Sequence, residues 1–514
     1  YYFPGGTARP RMIVEERTSF KFPASALAWL EPLENVHTGF ARSNPSYEMY
    51  YEKGIPVGTE APYEAGWAYP ALFKSGESWV LITETGLDEH YAGTRLRPQS
   101  PDGEYRVGFP MWGETTADGY LYPHSELPWK TPWRVITVGT LATIIESTHG
   151  TDLATPPGED DYSFVKPGHA SWSWAILKDH SVNYDTQKEF IDYAAEMGWE
   201  YTLVDVNWDT NIGYEGVAKL ADYAAERGVG LFVWYNSAGS WNHTPYHPRN
   251  KLLTHESRVR EFRRLQQMGI KGIKVDFFAG DGQAMIEYYQ DLFRDAARFR
   301  LMVNCHGSTL PRGWHRTYPN LMTMEAVKGF EFLTFEQSNA NHGASTAAML
   351  PFARNAFDPM DFTPMVFSEI PNIERVTRNG LELAESVIFL SAVQHFAETP
   401  EGMKTVPAYV KHFLRELPAV WEDTRFLDGY PARHIVLARR SGGQWYIAGL
   451  NGENSSKTLT LDLSFIAPGQ ELQMITDGRT KLSFTQQQLD LPANGQLEVP
   501  LKGNGGFVIV ADAK

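Results

Sequence analysis

From residue 166 to about residue 365, short apolar runs alternate with amphipathic stretches, and few folds accommodate that rhythm. His169 to Trp174 reads as a strand. The capping box Thr186-Gln187-Lys188-Glu189 then opens a helix whose apolar face is Phe190, Ala194 and Met197, and Gly198 closes it. Further strands are expected at Tyr201 to Asn207, Gly230 to Tyr235, Gly272 to Phe278, Leu301 to Cys305, Leu321 to Glu325 and Met360 to Met365. The early ones recur about every 30 residues with a helical pattern after each, the mark of parallel βα units. Roughly seven or eight such units in series predict a closed (β/α)8 barrel rather than an open sheet. No Gly-x-Gly-x-x-Gly follows the first strand, which argues against a dinucleotide fold.

The flanks read differently. Residues 1–160 carry short alternating pieces such as Ser78-Trp79-Val80-Leu81-Ile82-Thr83 between Gly, Pro and Asp turns, with no convincing amphipathic helix, so an N-terminal β-sandwich is expected. Thr155-Pro156-Pro157-Gly158-Glu159-Asp160-Asp161 reads as a boundary loop. The barrel is assigned to 161–415 and a second β-sandwich to 416–514, where Ser441-Gly442-Gly443 between two apolar runs signals a hairpin. The 42% hydrophobic content of the 514 residues supports sizeable cores. No run approaches the ~18 apolar residues of a membrane span. A net charge of −16 argues against nucleic acid as a partner. The single cysteine, Cys305, excludes an intrachain disulfide and reads as a packing residue.

Polar residues collect at the C-terminal tips of the expected strands, where barrel enzymes keep their chemistry. Asp205, Asn207 and Asp209 follow the second strand, Asn236 the third, Lys274 and Asp276 end the fourth, and Asn304 and His306 the fifth. One such carboxylate alone could be a helix cap, but a series of decorated tips is not explained that way. Asp276 is short and sits on a rigid strand, which suits it to be a glycosidase nucleophile. Lys274 shares its face, because residues i and i+2 align, and can keep it ionised or hold a sugar hydroxyl. Glycoside hydrolysis needs a second carboxyl that carries a proton to the leaving oxygen. Glu325, Glu331 and Glu336 lie close together after the sixth strand, where they could supply it, bind Ca2+ through hard oxygens, or be a solvated loop.

Arg316-Thr317-Tyr318-Pro319-Asn320-Leu321, followed by Glu325 and, six residues on, Glu331, resembles glycoside hydrolase family 97. The resemblance spans nearly the whole chain and implies a β-sandwich, a (β/α)8 barrel and a C-terminal β-sandwich. The family's N-terminal sandwich is larger than the segment present, so this one is expected to be incomplete. The resemblance makes Glu331 the general acid and Glu325 a ligand of a catalytic Ca2+, to which Glu331 also binds. It takes a further metal ligand, Glu84, from the N-terminal segment Ile82-Thr83-Glu84-Thr85-Gly86-Leu87-Asp88. Inverting α-glucosidases of the family carry a base Glu after the fifth-strand His; here the pair is His306-Gly307, and Asp276 occupies the nucleophile position of the retaining branch. A retaining exo-acting α-galactosidase is therefore expected, with Lys274, Asn304, His306, Asp205 and Trp208 in the sugar-binding shell. The alternatives are an α-glucosidase or β-L-arabinopyranosidase of the same family, or a non-catalytic carbohydrate-binding protein. The same resemblance implies a periplasmic or secreted location and a glycoside or oligosaccharide as the partner.

Overall fold

The computed structural model describes residues 1–6, 9–467 and 469–514. Its centre is a parallel sheet of barrel strands β1 (Gly168–Trp172), β2 (Tyr201–Val204), β3 (Gly230–Asn236), β4 (Gly272–Asp276), β5 (Met302–Cys305), β6 (Leu321–Met324) and β7 (Val393–Phe396). They are ordered β6-β5-β4-β3-β2-β1-β7, so β7 pairs with β1 and the sheet nearly closes on itself. The strands are buried along their whole length because helices cover the outside and side chains fill the inside.

Two expectations shift. The helix after β1 runs Tyr184–Met197 and is capped by Asn183, whose side chain accepts the Thr186 N–H, so it starts before the expected capping box. Gly198 does close it, in the left-handed region at φ +71°. The expected strand at Met360 to Met365 is not a regular strand; the seventh is Val393–Phe396. Pro359 and Pro364 lack N–H donors, and Thr363 and Met365 adopt φ values of +57° and +78°, which break an extended run. This irregular segment still fills the seam between β6 and β7. Asp361 N–H bonds Met324 O at 3.0 Å on one side, and Ala397 N–H bonds Pro364 O at 3.1 Å on the other.

Upstream lies a mainly antiparallel β domain. Its five-stranded sheet pairs Ser78–Thr85 with Ala71–Ser75 on one side and Trp133–Gly139 on the other. Two short helices, Leu141–Ile145 and His149–Asp152, which the sequence did not announce, follow it toward the barrel. Downstream, a six-stranded antiparallel sheet and a two-stranded partner enclose their own apolar core. There Ser441 pairs with Gln444 across a two-residue turn at Gly442-Gly443.

What locks the upstream domain to the barrel is ionic and buried. Asp281, five residues past the end of β4, accepts from Arg95 at 3.0 Å and from the Tyr47 hydroxyl at 2.5 Å, both from the upstream domain. Its other oxygen takes Thr309 and Arg312 from the loop after β5. Arg95 is also paired with Glu114 (2.8 and 2.5 Å) and Arg312 with Glu84 (2.5 Å). Burial opposes ionisation of Asp281, yet Arg312 and Arg95 outweigh it and hold the carboxyl below its ordinary value.

Candidate active site

The inward faces of adjacent strands stack into layers. Trp234, Lys274 and Asn304 are register partners across β3, β4 and β5, and Asn236 pairs with Asp276 one layer higher. Asp276 therefore stands at the top of β4, 8% exposed. Its Oδ2 accepts the Trp234 indole N–H at 3.0 Å, and Lys274 Nζ lies 3.9 Å away. Burial raises its pKa to about 6, with Lys274 and His306 pulling the other way. Lys274 bonds Asp205 Oδ2 at 3.2 Å and sits 4.0 Å over the Trp172 ring, while the Trp172 N–H donates to the same Asp205 oxygen at 2.9 Å. Desolvation works against the ammonium, but Asp205 and Asp276 more than offset it, so Lys274 stays charged.

On the β5 and β6 side, Asp361 from the irregular segment is the common acceptor. One of its oxygens takes Asn304 Nδ2 (2.7 Å), His306 Nε2 (2.7 Å) and His395 Nδ1 (2.9 Å). The other imidazole nitrogen, His306 Nδ1, lies 3.3 Å from Glu325 Oε1, and Gly307 N–H donates to Glu325 Oε2 at 2.9 Å. Burial lowers His306's affinity for a proton, yet Glu325 and Asp361 raise it to about 10, so the ring is an imidazolium. Glu331, half-buried on the short helix Phe330–Leu333, completes the cluster; donor atoms of His306, Glu325 and Glu331 all lie within 4.8 Å of one another. Burial and then Glu325 push its pKa up to about 7.

Glycine at 307 is required by this geometry. A Cβ there would stand 2.9 Å from Asp276 Oδ1 and 2.9 Å from Phe277 N, inside any tolerable contact, and the backbone has φ +47°. Phe277 itself is a bulky residue held at φ +66° just after Asp276, a strained conformation. Ser237 Oγ (2.9 Å) and Asn242 Nδ2 (2.7 Å) hold its carbonyl in place.

Most of the expected residues converge: Asp276, Lys274, Asp205, Asn304, His306, Glu325 and Glu331 gather in one cluster at the C-terminal ends of the barrel strands. Two do not. Trp208 is fully buried on the outside of the barrel, donating to Trp234 O at 2.7 Å and packing on Tyr214 and Tyr235, so it is a core residue and not part of a sugar shell. Glu84 is saturated by Arg312, Arg134 (2.7 Å) and Thr94 in the interdomain lock and does not face the carboxylate cluster. The upstream domain does send a carboxylate into the site, but it is Glu48. Its carboxyl is within hydrogen-bonding reach of Glu325, and burial followed by Glu325 drives its pKa well above the ordinary range. No local motif marks it. It is placed by Tyr47, one residue earlier, which is anchored on Asp281. Asp361, His395 and Trp234 were also missed, although Trp234 could have been found by aligning β3 and β4 in register. Asn207 and Asp209, polar tips in the sequence, bind the loop at His247 instead, and Glu336 is solvent-exposed.

The glycoside hydrolase 97 model matches residues 164–327, and the N-terminal and C-terminal (oligomerisation) models of glycosyl hydrolase 97 match 1–156 and 420–511. A probable retaining alpha-galactosidase of Streptomyces bingchenggensis is 34% identical over 99% of this chain and 75% of its own length. The chain belongs to glycoside hydrolase family 97. A retaining alpha-galactosidase of Bacteroides thetaiotaomicron is 28% identical over 99% of this chain and 81% of that protein. Among solved structures, a beta-arabinopyranosidase superposes with a TM-score of 0.95 at 37% identity, covering 99% of this chain and 82% of that one. A family 97 enzyme from Pseudoalteromonas, in complex with panose, shares the fold at a TM-score of 0.84 and 22% identity, covering 100% and 83%. The protein is thus a glycosidase.

The contact between position 307 and Asp276 gives a direct test. Gly307→Ala is expected to displace the Asp276 carboxylate and to lower kcat by about 100-fold, the scale on which a catalytic group is sensitive to a displacement near 1 Å. Steady-state kinetics on an aryl glycoside, with thermal unfolding to confirm the fold, measure it; near wild-type kcat would show that the clash is relieved elsewhere.

Proposed function

We propose that this family 97 glycosidase is a retaining exo-acting α-galactosidase. The observation that carries the reading is the mutual exclusion at the β4 and β5 tips: Gly307 leaves no base carboxylate there, and Asp276 fills the space that such a side chain would need. In the first step Asp276 attacks the anomeric carbon while Glu331 gives its proton to the leaving oxygen. In the second, Glu331 takes a proton from water, which displaces Asp276 and restores the starting configuration. Lys274 and the Trp234 N–H hold the attacking carboxylate in position, Asp205 and Asn304 offer further hydrogen bonds to the sugar, and the imidazolium of His306, bonded at both nitrogens, fixes Glu325 against Asp361. The second reading, a β-L-arabinopyranosidase, is favoured by the 37% identity to the solved enzyme of that name. The two sugars have the same ring stereochemistry and differ in the galactose hydroxymethyl group.

A divalent cation fits the donor set. Glu325 and Glu331 bring hard oxygens together, and Glu48 lies within hydrogen-bonding reach of Glu325, its pKa raised first by burial and then by the Glu325 charge. His306 is engaged through both ring nitrogens and acts as a hydrogen-bond partner, not a ligand. Ca2+ held by Glu48, Glu325 and Glu331 would supply positive charge beside the general acid and a contact for substrate oxygens. The burial that lifts Glu331 to about 7 is the margin that keeps it protonated against such a cation.

The nucleophile is tested by Asp276→Gly, which should lose at least about 1000-fold in activity on p-nitrophenyl α-galactoside and recover part of it with azide. NMR of the wild-type reaction should show the α-anomer first; a β-anomer would overturn retention. Asp276 must be ionised, so kcat/KM should fall as pH drops through about 6, and Glu331 must be protonated, so it should fall again as pH rises through about 7. A bell with its maximum near those values is expected, its upper limb moved lower when cation is bound. Chelation should cut kcat by roughly tenfold or more, with recovery on adding Ca2+; unchanged activity would remove the metal from the scheme.

A further inference from the structure

Galactosyl transfer to Asp276 leaves open what receives the other half of the substrate. The leaving oxygen must pass Glu331, so the aglycone departs over the helix Phe330–Leu333. Just past that helix stands Phe335, 48% exposed. An isolated exposed phenyl ring would be unremarkable on a protein surface. This one is clamped. Lys178 Nζ lies 4.5 Å from the Phe335 ring centre and 4.4 Å from that of Trp174, between the two aromatic faces. The ammonium is fixed in turn by Thr334 Oγ1 at 2.6 Å and Ala175 O at 2.9 Å, and Thr334 Oγ1 donates to Glu331 O at 2.6 Å. Lys178 adopts φ +57°, a left-handed conformation that a lysine takes only where its surroundings impose it. Trp174 lies nearly parallel to Trp172, 16° between planes and 6.0 Å between centres, and Trp172 is the floor under Lys274. An aromatic series thus runs from Trp172 at the tip of β1, beneath Lys274, through Trp174 to Phe335, which meets the Trp174 ring edge-on at 6.4 Å, on the general acid's side.

We propose that Phe335, held by Lys178 against Trp174, is the stacking platform for a saccharide aglycone, and that the enzyme acts on galactosides whose leaving group is a second sugar ring. A pyranose presents an apolar C–H face that an exposed, pre-ordered phenyl ring can cover, while Lys178 at its edge can bond hydroxyls. The ring order is already set in the free enzyme, so binding does not have to restrain it. The inference rests on the retaining glycosidase reading, because it takes Glu331 as the proton donor.

The test compares two substrates of the same glycone: an α-galactosyl disaccharide, which has an aglycone ring, and α-galactosyl fluoride, which has none, with the β-L-arabinopyranosyl pair in parallel. The quantity read is the ratio of kcat/KM for disaccharide to that for fluoride. Phe335→Ala should lower the ratio by about tenfold, the scale of one aromatic stacking contact, and Phe335→Trp should restore it. A purely structural role would lower both values together and leave the ratio unchanged, which overturns the platform. If the wild-type enzyme hydrolyses neither fluoride, the glycosidase reading for these sugars fails, and the platform fails with it. Wild-type turnover with an unaltered ratio in Phe335→Ala overturns the platform alone.

Discussion

Asp281 is the anion on which the assembly depends. Its two oxygens gather Arg95 and Tyr47 from the upstream β domain and Thr309 and Arg312 from the barrel. Removing two guanidinium groups from water is expensive, and only a fully satisfied network offsets the cost. Here Glu114 and Glu84 complete the charge balance. The return is geometric. Asp281 belongs to the loop that leaves β4 from Asp276, Arg312 to the loop that leaves β5 from Gly307, and Tyr47 precedes Glu48. One carboxylate therefore fixes the spacing of three chain segments that each reach the carboxylate cluster at the strand ends.

That arrangement couples domain docking to the site's chemistry. Glu48 arrives from one body and Glu325 and Glu331 from the other, so a cation held by all three would bind only the docked state. Linkage then requires that such an ion stabilise the interface in proportion to its affinity. The strain at Phe277 belongs to the same logic. A local conformational cost beside Asp276 is sustained by hydrogen bonds from Ser237 and Asn242, and these fix the direction in which Asp276 leaves the strand.

How much of this was legible in the sequence divides along a physical line. Strand ends in a parallel barrel all open on one face, so Lys274, Asp276, Asn304, His306 and Glu325 could be placed together from the βα rhythm alone. Trp208 was misassigned because it lies just beyond the end of β2, where the chain turns into a helix and period-two alternation no longer says which way a side chain points. Glu84 drew the metal assignment because its segment resembles a family motif. The structure gives it to the ionic lock, while the carboxylate that reaches the site, Glu48, lies in a loop whose path depends on a contact more than two hundred residues away in sequence. Asp361 escaped for a related reason. It sits on a proline-interrupted segment that was correctly located at the barrel seam but read as an ordinary strand, and nothing local shows that three side chains from β5 and β7 meet on it.

The close approach of position 307 to Asp276 makes the two strand tips interdependent. In an enzyme of this shape a glutamate at 307 could be accommodated only if the Asp276 carboxylate or the Phe277 backbone shifted, because its Cβ would stand 2.9 Å from each. Position 307 and the Asp276 carboxylate thus compete for one volume, so in a barrel of this shape a side chain gained at one tip is space lost at the other.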